Sequence, residues 1–188
     1  MRLVLLGPPG AGKGTQAVGL AARLGIPAIS TGDIFRSNIK GGTDLGKLAQ
    51  SYTSTGRLVP DEVTNDMVAD RLAQDDVAPG FLLDGYPRNA AQVDALDAML
   101  AASGTPLDAV VLITADTDAL VQRLLKRAEI EGREDDTEDV IRHRQEVYAA
   151  ETAPLIDIFD GRGMLVRVDG MGEIGEVTDR LFAALDGR

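Results

Sequence analysis

The chain has 188 residues, 44% of them hydrophobic, and no cysteine; this length buries roughly 70% of the unfolded surface in one compact domain with small insertions, and the missing thiols exclude disulfides, a cysteine nucleophile and a Cys-built zinc site. A net charge of −11 argues against broad affinity for nucleic acid or an anionic membrane, since both need a basic face. Any polyanion must therefore meet a local cluster of cations, and 15 Arg against 4 Lys favour the planar fork that grips phosphate bidentately.

The opening MRLVLLGPPG is too short in its apolar part for a signal peptide or a membrane span, and the expectation is a cytoplasmic protein. Leu3 to Leu6 form the first strand candidate. Ala17, Leu20, Ala21 and Leu24 follow at i, i+3, i+4 and i+7, the spacing of one helix face. Pro27 to Ser30 is a weaker strand candidate, with only Ala28 and Ile29 inside it. Residues 30–59 hold two short helical patterns, separated by Gly41-Gly42 and ended by Gly56. Phe81 to Leu83 then precede Val93, Leu96 and Leu100; Ala109 to Ile113 precede Leu120, Leu124 and Ala128; Leu165 to Val168 precede Val177, Leu181 and Leu185. This alternation predicts an α/β chain, a parallel sheet sandwiched by helices with ligands beyond the carboxyl ends of the strands. Residues 126–136, KRAEIEGREDD, are almost wholly charged and read as an exposed flap.

Directly after the first strand candidate comes Gly7-Pro8-Pro9-Gly10-Ala11-Gly12-Lys13-Gly14-Thr15, leading into a helical pattern. Glycines let successive backbone N–H groups curl around an anion, the helix N-terminus adds partial positive charge, and Lys13 adds a full one. The general pattern places Ser or Thr immediately after the Lys to ligate magnesium, but Gly14 stands there and Thr15 comes next. Mg²⁺ is then expected to be held through water and the nucleotide's own oxygens. Asp84, ending a strand candidate, is the carboxylate that would organise those waters; its other reading is a helix cap or turn residue.

GPPGAGKGTQ at 7–16, ISTGDIFR at 29–36, GRLVPD at 56–61, DGYPR at 84–88 with Gln92, GREDD at 132–136, the Arg142-x-Arg144 pair and ETAPL at 151–155 together resemble the signature set of the adenylate kinases, in their short-lid, zinc-free bacterial form. The resemblance spans nearly the whole chain. It implies a three-layer P-loop kinase fold, a five-stranded parallel sheet flanked by helices. Residues 1–29, 60–125 and 137–188 would form the core, 30–59 a small helical AMP-binding insertion and 126–136 a short lid. By the same resemblance Thr31, Arg36, Arg57, Leu58, Val59, Gly85, Tyr86, Pro87, Arg88 and Gln92 hold AMP. Gly10, Ala11, Gly12, Lys13, Gly14 and Thr15, with Arg123 and Arg127, hold ATP, and Gly172 offers its backbone to the adenine. Arg133 and Arg144 reach toward the phosphates from the lid and the helix after it. The implied activity is reversible phosphoryl transfer from MgATP to AMP, giving two ADP. The short flap without Cys points to the zinc-free form, the acidic charge to neither nucleic-acid nor membrane partners, and an α/β pattern that uses all the apolar residues to a monomer.

Residue chemistry bears on these roles separately. Arg36, after a Ser-Thr-Gly-Asp turn, and Arg88, after Pro87, stand where a guanidinium can meet a phosphate. Gln92, one helical turn past Arg88, carries a donor and an acceptor that match an adenine edge. The acceptor is a phosphate oxygen already ionised at neutral pH, so no general base is required, and the lone His143 reads as a surface residue. The reaction needs alignment and charge neutralisation, which Lys13, Arg88, Arg123, Arg133, Arg144 and Mg²⁺ would supply. A flap closing over both nucleotides would keep out water, the competing acceptor, with Asp135 and Asp136 pairing with arginines on closure. The rivals are another nucleoside monophosphate kinase of UMP/CMP type, discriminated by Gln92 with Thr31, and a non-catalytic nucleotide-binding protein of the same fold. A P-loop ATPase acting on protein or nucleic acid is a third, for which an acidic chain of this length leaves little room.

Overall fold

Near-continuous apolar runs are the pattern of strands buried on both faces. In the computed structural model, which describes residues 1–131 and 137–186, these runs form β1 (Arg2–Leu6), β2 (Ala28–Ser30), β3 (Phe81–Asp84), β4 (Ala109–Thr114) and β5 (Leu165–Asp169). They join in one sheet of order β2-β3-β1-β4-β5. Every pairing is parallel, with Leu5 of β1 opposite Asp84 and Leu6 opposite Leu112. All carboxyl ends therefore open on one edge, and the glycine-rich turn leaves the sheet at its central strand.

The connections carry α1 (Lys13–Leu24), α2 (Thr31–Lys40), α3 (Asp44–Thr53), α4 (Asp61–Leu72), α5 (Ala90–Ser103), α6 (Thr117–Glu131), α7 (Glu138–Val147), α8 (Leu155–Gly161) and α9 (Ile174–Ala184). Alternate side chains of a strand point to opposite faces, and the core divides accordingly. Leu3 and Leu5 pack with Ala17 and Leu20 of α1 and with Val177 and Leu181 of α9. Val4 and Leu6 pack on the other face with Val93, Leu96 and Leu100 of α5 and with Leu155 and Phe159 of α8. A third, smaller cluster of Phe35, Ala49 and Val59 holds α2 against α3.

Several boundaries differ from the sequence expectation. Ser30 is the N-cap of α2, accepting the Asp33 N–H at 3.3 Å, so Thr31-Gly32-Asp33 is a first helical turn and not a free loop. The predicted flap begins inside a helix, because the Leu120, Leu124, Ala128 spacing carries α6 on to Glu131. Helices α4 and α8 were not evident in the apolar spacing. Among the described residues no helix is long and apolar enough to cross a membrane.

Candidate active site

The turn after β1 closes with Ala11 N–H donating to the Pro8 carbonyl at 3.1 Å. Gly12 then takes φ 88 at the N-cap of α1, with no side chain capping the helix. A Cβ added there would meet nothing within 4 Å, so the turn is open where α1 begins, and the first N–H groups of a helix, which have no partner within it, suit an anion. Lys13, opening α1, donates to the carbonyls of Gly7 at 2.7 Å and Pro8 at 3.0 Å. Burial lowers its pKa to about 8, Asp84 opposes the shift, and Arg88 and Arg127 add to it. The Asp84 carboxylate, 8% exposed, comes within 3.7 Å of where a Gly14 Cβ would stand. Asn89, not Asp84, caps α5, which leaves Asp84 facing the cleft beside Lys13.

The opposite wall is built around one carbonyl. Thr31 Oγ1 donates to Gly85 O at 2.9 Å and Arg88 Nε donates to it at 2.8 Å. Gly85 sits at φ 82, and a Cβ there would lie 2.8 Å from Thr31 Oγ1 and 3.1 Å from Arg88 Nη2, so only glycine lets both donors converge. Thr152, in a single π turn spanning Tyr148–Thr152, donates to the Arg88 carbonyl at 2.7 Å. Burial pushes the Arg88 guanidinium pKa down, with Asp84 opposing and the like charges of Arg144 and Arg36 adding to the decrease. Cations converging this way favour an anion between them.

Gln92 is 2% exposed; its Oε1 accepts the Arg88 N–H at 2.8 Å, and its Nε2 donates to Asp61 Oδ1 at 2.7 Å. Asn89 accepts the Gln92 N–H at 2.9 Å and donates to both Asp61 oxygens, at 3.0 and 3.1 Å. Tyr86, expected among the AMP contacts, is wholly buried behind this wall; its hydroxyl donates to Asn65 Oδ1 at 2.7 Å, with the Gln92 carbonyl at 3.2 Å. Its side chain thus points away from the cleft, because the ring completes the core beneath α5.

A single cleft of about 1400 Å³ brings the two walls together. Gly10 to Thr15, Thr31, Arg36, Arg57, Leu58, Val59, Asp84, Gly85, Pro87, Arg88, Gln92, Arg123, Arg127, Arg144 and Gly172 all line it. Arg36 is paired with Asp33, and Arg57 stacks over the Tyr52 ring at 5.1 Å. Arg123 leans toward the Gly170 carbonyl at 3.5 Å. The loop carrying Gly172 is tied down by Arg180, which donates to the carbonyls of Asp169 and Met171. His143 lies outside the cleft, its side chain 42% exposed and 3.4 Å from Glu146. Arg133, Asp135 and Asp136 lie outside the described residues.

Sequence reasoning missed Asp61, Asn89, Thr152 and Gln145, which holds the Pro9 carbonyl at 3.0 Å. Asn89-x-x-Gln92 resembles the spacing of a capping box and could have been noticed. Asp61 and Thr152 lie inside the GRLVPD and ETAPL motifs, but nothing local shows what they or Gln145 hold, because their partners are distant in sequence.

The family model described as adenylate kinase matches residues 5–164. The chain belongs to the adenylate kinase family. The adenylate kinase of Kocuria rhizophila is 62% identical over 185 residues, covering 98% of each chain. That of a Nocardioides species is 59% identical over 186 residues, 99% of this chain and 97% of the relative. That of Thermobifida fusca is 56% identical over the full 188 residues of both. Ligand pockets for one small molecule commonly occupy roughly 300–1,000 Å³; the cleft of this adenylate kinase family member, at about 1400 Å³, has room for two nucleotides.

Proposed function

We propose that the chain catalyses reversible transfer of the terminal phosphoryl group of MgATP to AMP, giving two ADP, and so balances the adenine nucleotides of the cell. The observation that carries this reading is the convergence of Lys13, Arg88, Arg123, Arg127 and Arg144 on one cleft large enough for donor and acceptor together. A protein that only sensed one nucleotide would need neither that volume nor cations from both walls.

The glycine-rich turn and Lys13 cradle the ATP phosphates, with Arg123 and Arg127 beside them and the Gly172 backbone at the adenine. Thr31, Arg36, Arg57 to Val59, Gly85, Pro87, Arg88 and Gln92 receive AMP. An AMP phosphate oxygen attacks the γ-phosphorus, the bond to the β,γ-bridging oxygen breaks, and that oxygen leaves on ADP. No proton moves. Lys13, Arg88, Arg123 and Arg144 hold the two anions in line and neutralise charge spread over the transferring group. Among the described residues no three His, Cys, Asp or Glu side chains gather as metal ligands. Asp84, the cleft carboxylate beside Lys13, and the exposed Thr15 suit an ion bound chiefly by nucleotide oxygens and water. When bound, Mg²⁺ supplies charge neutralisation on the phosphate oxygens.

In the same proposal residues 30–59 move as an AMP-binding unit around their own small cluster and 126–136 as a lid, on a cytoplasmic monomer. Incubation of purified protein with ADP and magnesium should yield equimolar ATP and AMP; no conversion would overturn the assignment.

A further inference from the structure

We infer that Asp61 is a positioning residue that sets selectivity for the acceptor base, by fixing which end of the Gln92 amide is donor and which is acceptor. This rests on the proposal that Gln92 meets the base of the acceptor nucleotide.

A side-chain amide has two ends of nearly equal shape and opposite hydrogen-bonding sense. Turned end for end, the Gln92 head would set its NH₂ against the Arg88 N–H and its oxygen against the Asp61 carboxylate, in place of the bonds of 2.8 and 2.7 Å found there. Neither neighbour can adapt. A backbone N–H only donates, and an ionised carboxylate only accepts. Asp61 is itself held through both oxygens by Asn89, and Asn89 cannot reverse, because its own oxygen takes the Gln92 N–H at 2.9 Å. The polarity of the whole cluster thus traces back to two backbone N–H groups.

These bonds use one of the two Gln92 N–H groups and one of its two lone pairs. The remaining N–H and lone pair, on a side chain that lines the cleft, have a set order. They match a base edge that offers an exocyclic N–H₂ beside an unprotonated ring nitrogen, as adenine and cytosine do. The edge of hypoxanthine or uracil, a carbonyl beside a ring N–H, is the reverse and would need the amide turned. AMP and IMP have almost the same shape and differ in this edge, so their ratio isolates the effect.

The test compares kcat/KM for AMP and IMP, with MgATP as donor, in the unmodified protein and in Asp61→Ala, Asp61→Asn and Gln92→Ala. Water replacing the Asp61 carboxylate donates or accepts equally well, so turning Gln92 then breaks one hydrogen bond in place of two. The expected result is a rise of about tenfold in the IMP-to-AMP ratio for Asp61→Ala, a rise in the same direction for Asp61→Asn, and a parallel rise of UMP relative to CMP. Asp61 also lies in the first turn of α4, where a carboxylate supports the helix. Loss of that support alone would lower all acceptors together and leave the ratio unmoved. Because the ratio is taken within one preparation, it does not depend on the fraction folded. An unchanged ratio in both Asp61 variants, with Gln92→Ala still losing discrimination, overturns the role of Asp61 and leaves the Gln92 proposal standing. Unchanged discrimination in Gln92→Ala overturns both.

Discussion

Lys13 holds its charge in surroundings that oppose it. Burial brings its pKa to about 8 from an ordinary 10.5. Between those values the unfolded chain keeps a proton that the folded chain has released, so this group makes stability rise as pH climbs from about 8 to 10.5, and its full penalty is present below about 8. The shift corresponds to about 3 kcal/mol, partly offset by loss of the bonds to the Gly7 and Pro8 carbonyls, so Lys13→Met should stabilise the protein, assayed without nucleotide at pH 7, by about 2 kcal/mol; urea denaturation should find the gain largely gone by pH 10. In the proposed mechanism that stability is given up to place a positive charge beside the transferring group. Lys13→Ala and Arg88→Ala should each lower turnover by at least about a hundredfold while far-UV circular dichroism stays unchanged, and near-normal turnover in either would remove that residue from the mechanism. Both positions could be singled out in the sequence, one from the glycine pattern before it, the other from its turn after Pro87 together with the family resemblance. Their supports could not. Thr152 reaches the Arg88 carbonyl and Asp61 reaches Gln92 across separations that only the fold closes.

At the level of elements, the βα rhythm was readable because β1, β3 and β4 are apolar on both faces and α1, α5 and α9 each set one stripe against the sheet. Helix α4 had no such stripe. Val68 is buried in the core under the sheet, whereas Val63 packs on the α2–α3 cluster and Met67 touches both, so its apolar residues are spread around the axis and the period is lost. Helix α8, with 7 residues after Pro154, is too short to show a period at all. Strand β2 was visible only weakly, since Ile29 alone of its three residues is buried. Within α5, Leu96 is 1% exposed among Val4, Leu83 and Phe159 of the same cluster. Leu96→Ala should cost about 2–5 kcal/mol, measured by denaturant titration, and should do so without changing the acceptor ranking, which depends on the other end of that helix.

For the molecule as a whole, parallel strand order brings the exits of β1, β2 and β3 to one edge, and with them Lys13, Thr31 and Arg88. The sequence pointed to these residues and to the carboxyl ends of a parallel sheet, but not to the strand order that sets β3 between β2 and β1. Among the described residues the large exposed apolar side chains are Val18, Leu48, Ile130 and Ile174, one each on α1, α3, α6 and α9. Apolar residues scattered in this way are ordinary for a surface. Sedimentation equilibrium should therefore return the chain mass of 19.9 kDa; a dimer mass would refute the monomer proposal. The bonds that Lys13 makes to the Gly7 and Pro8 carbonyls also bear on how fast the catalyst recycles. An arriving phosphate competes with two acceptors already in hand, so only the difference between old and new contacts adds to affinity. A ligand held by a difference departs readily, and a transfer that runs in either direction between like species needs prompt departure as much as it needs encounter.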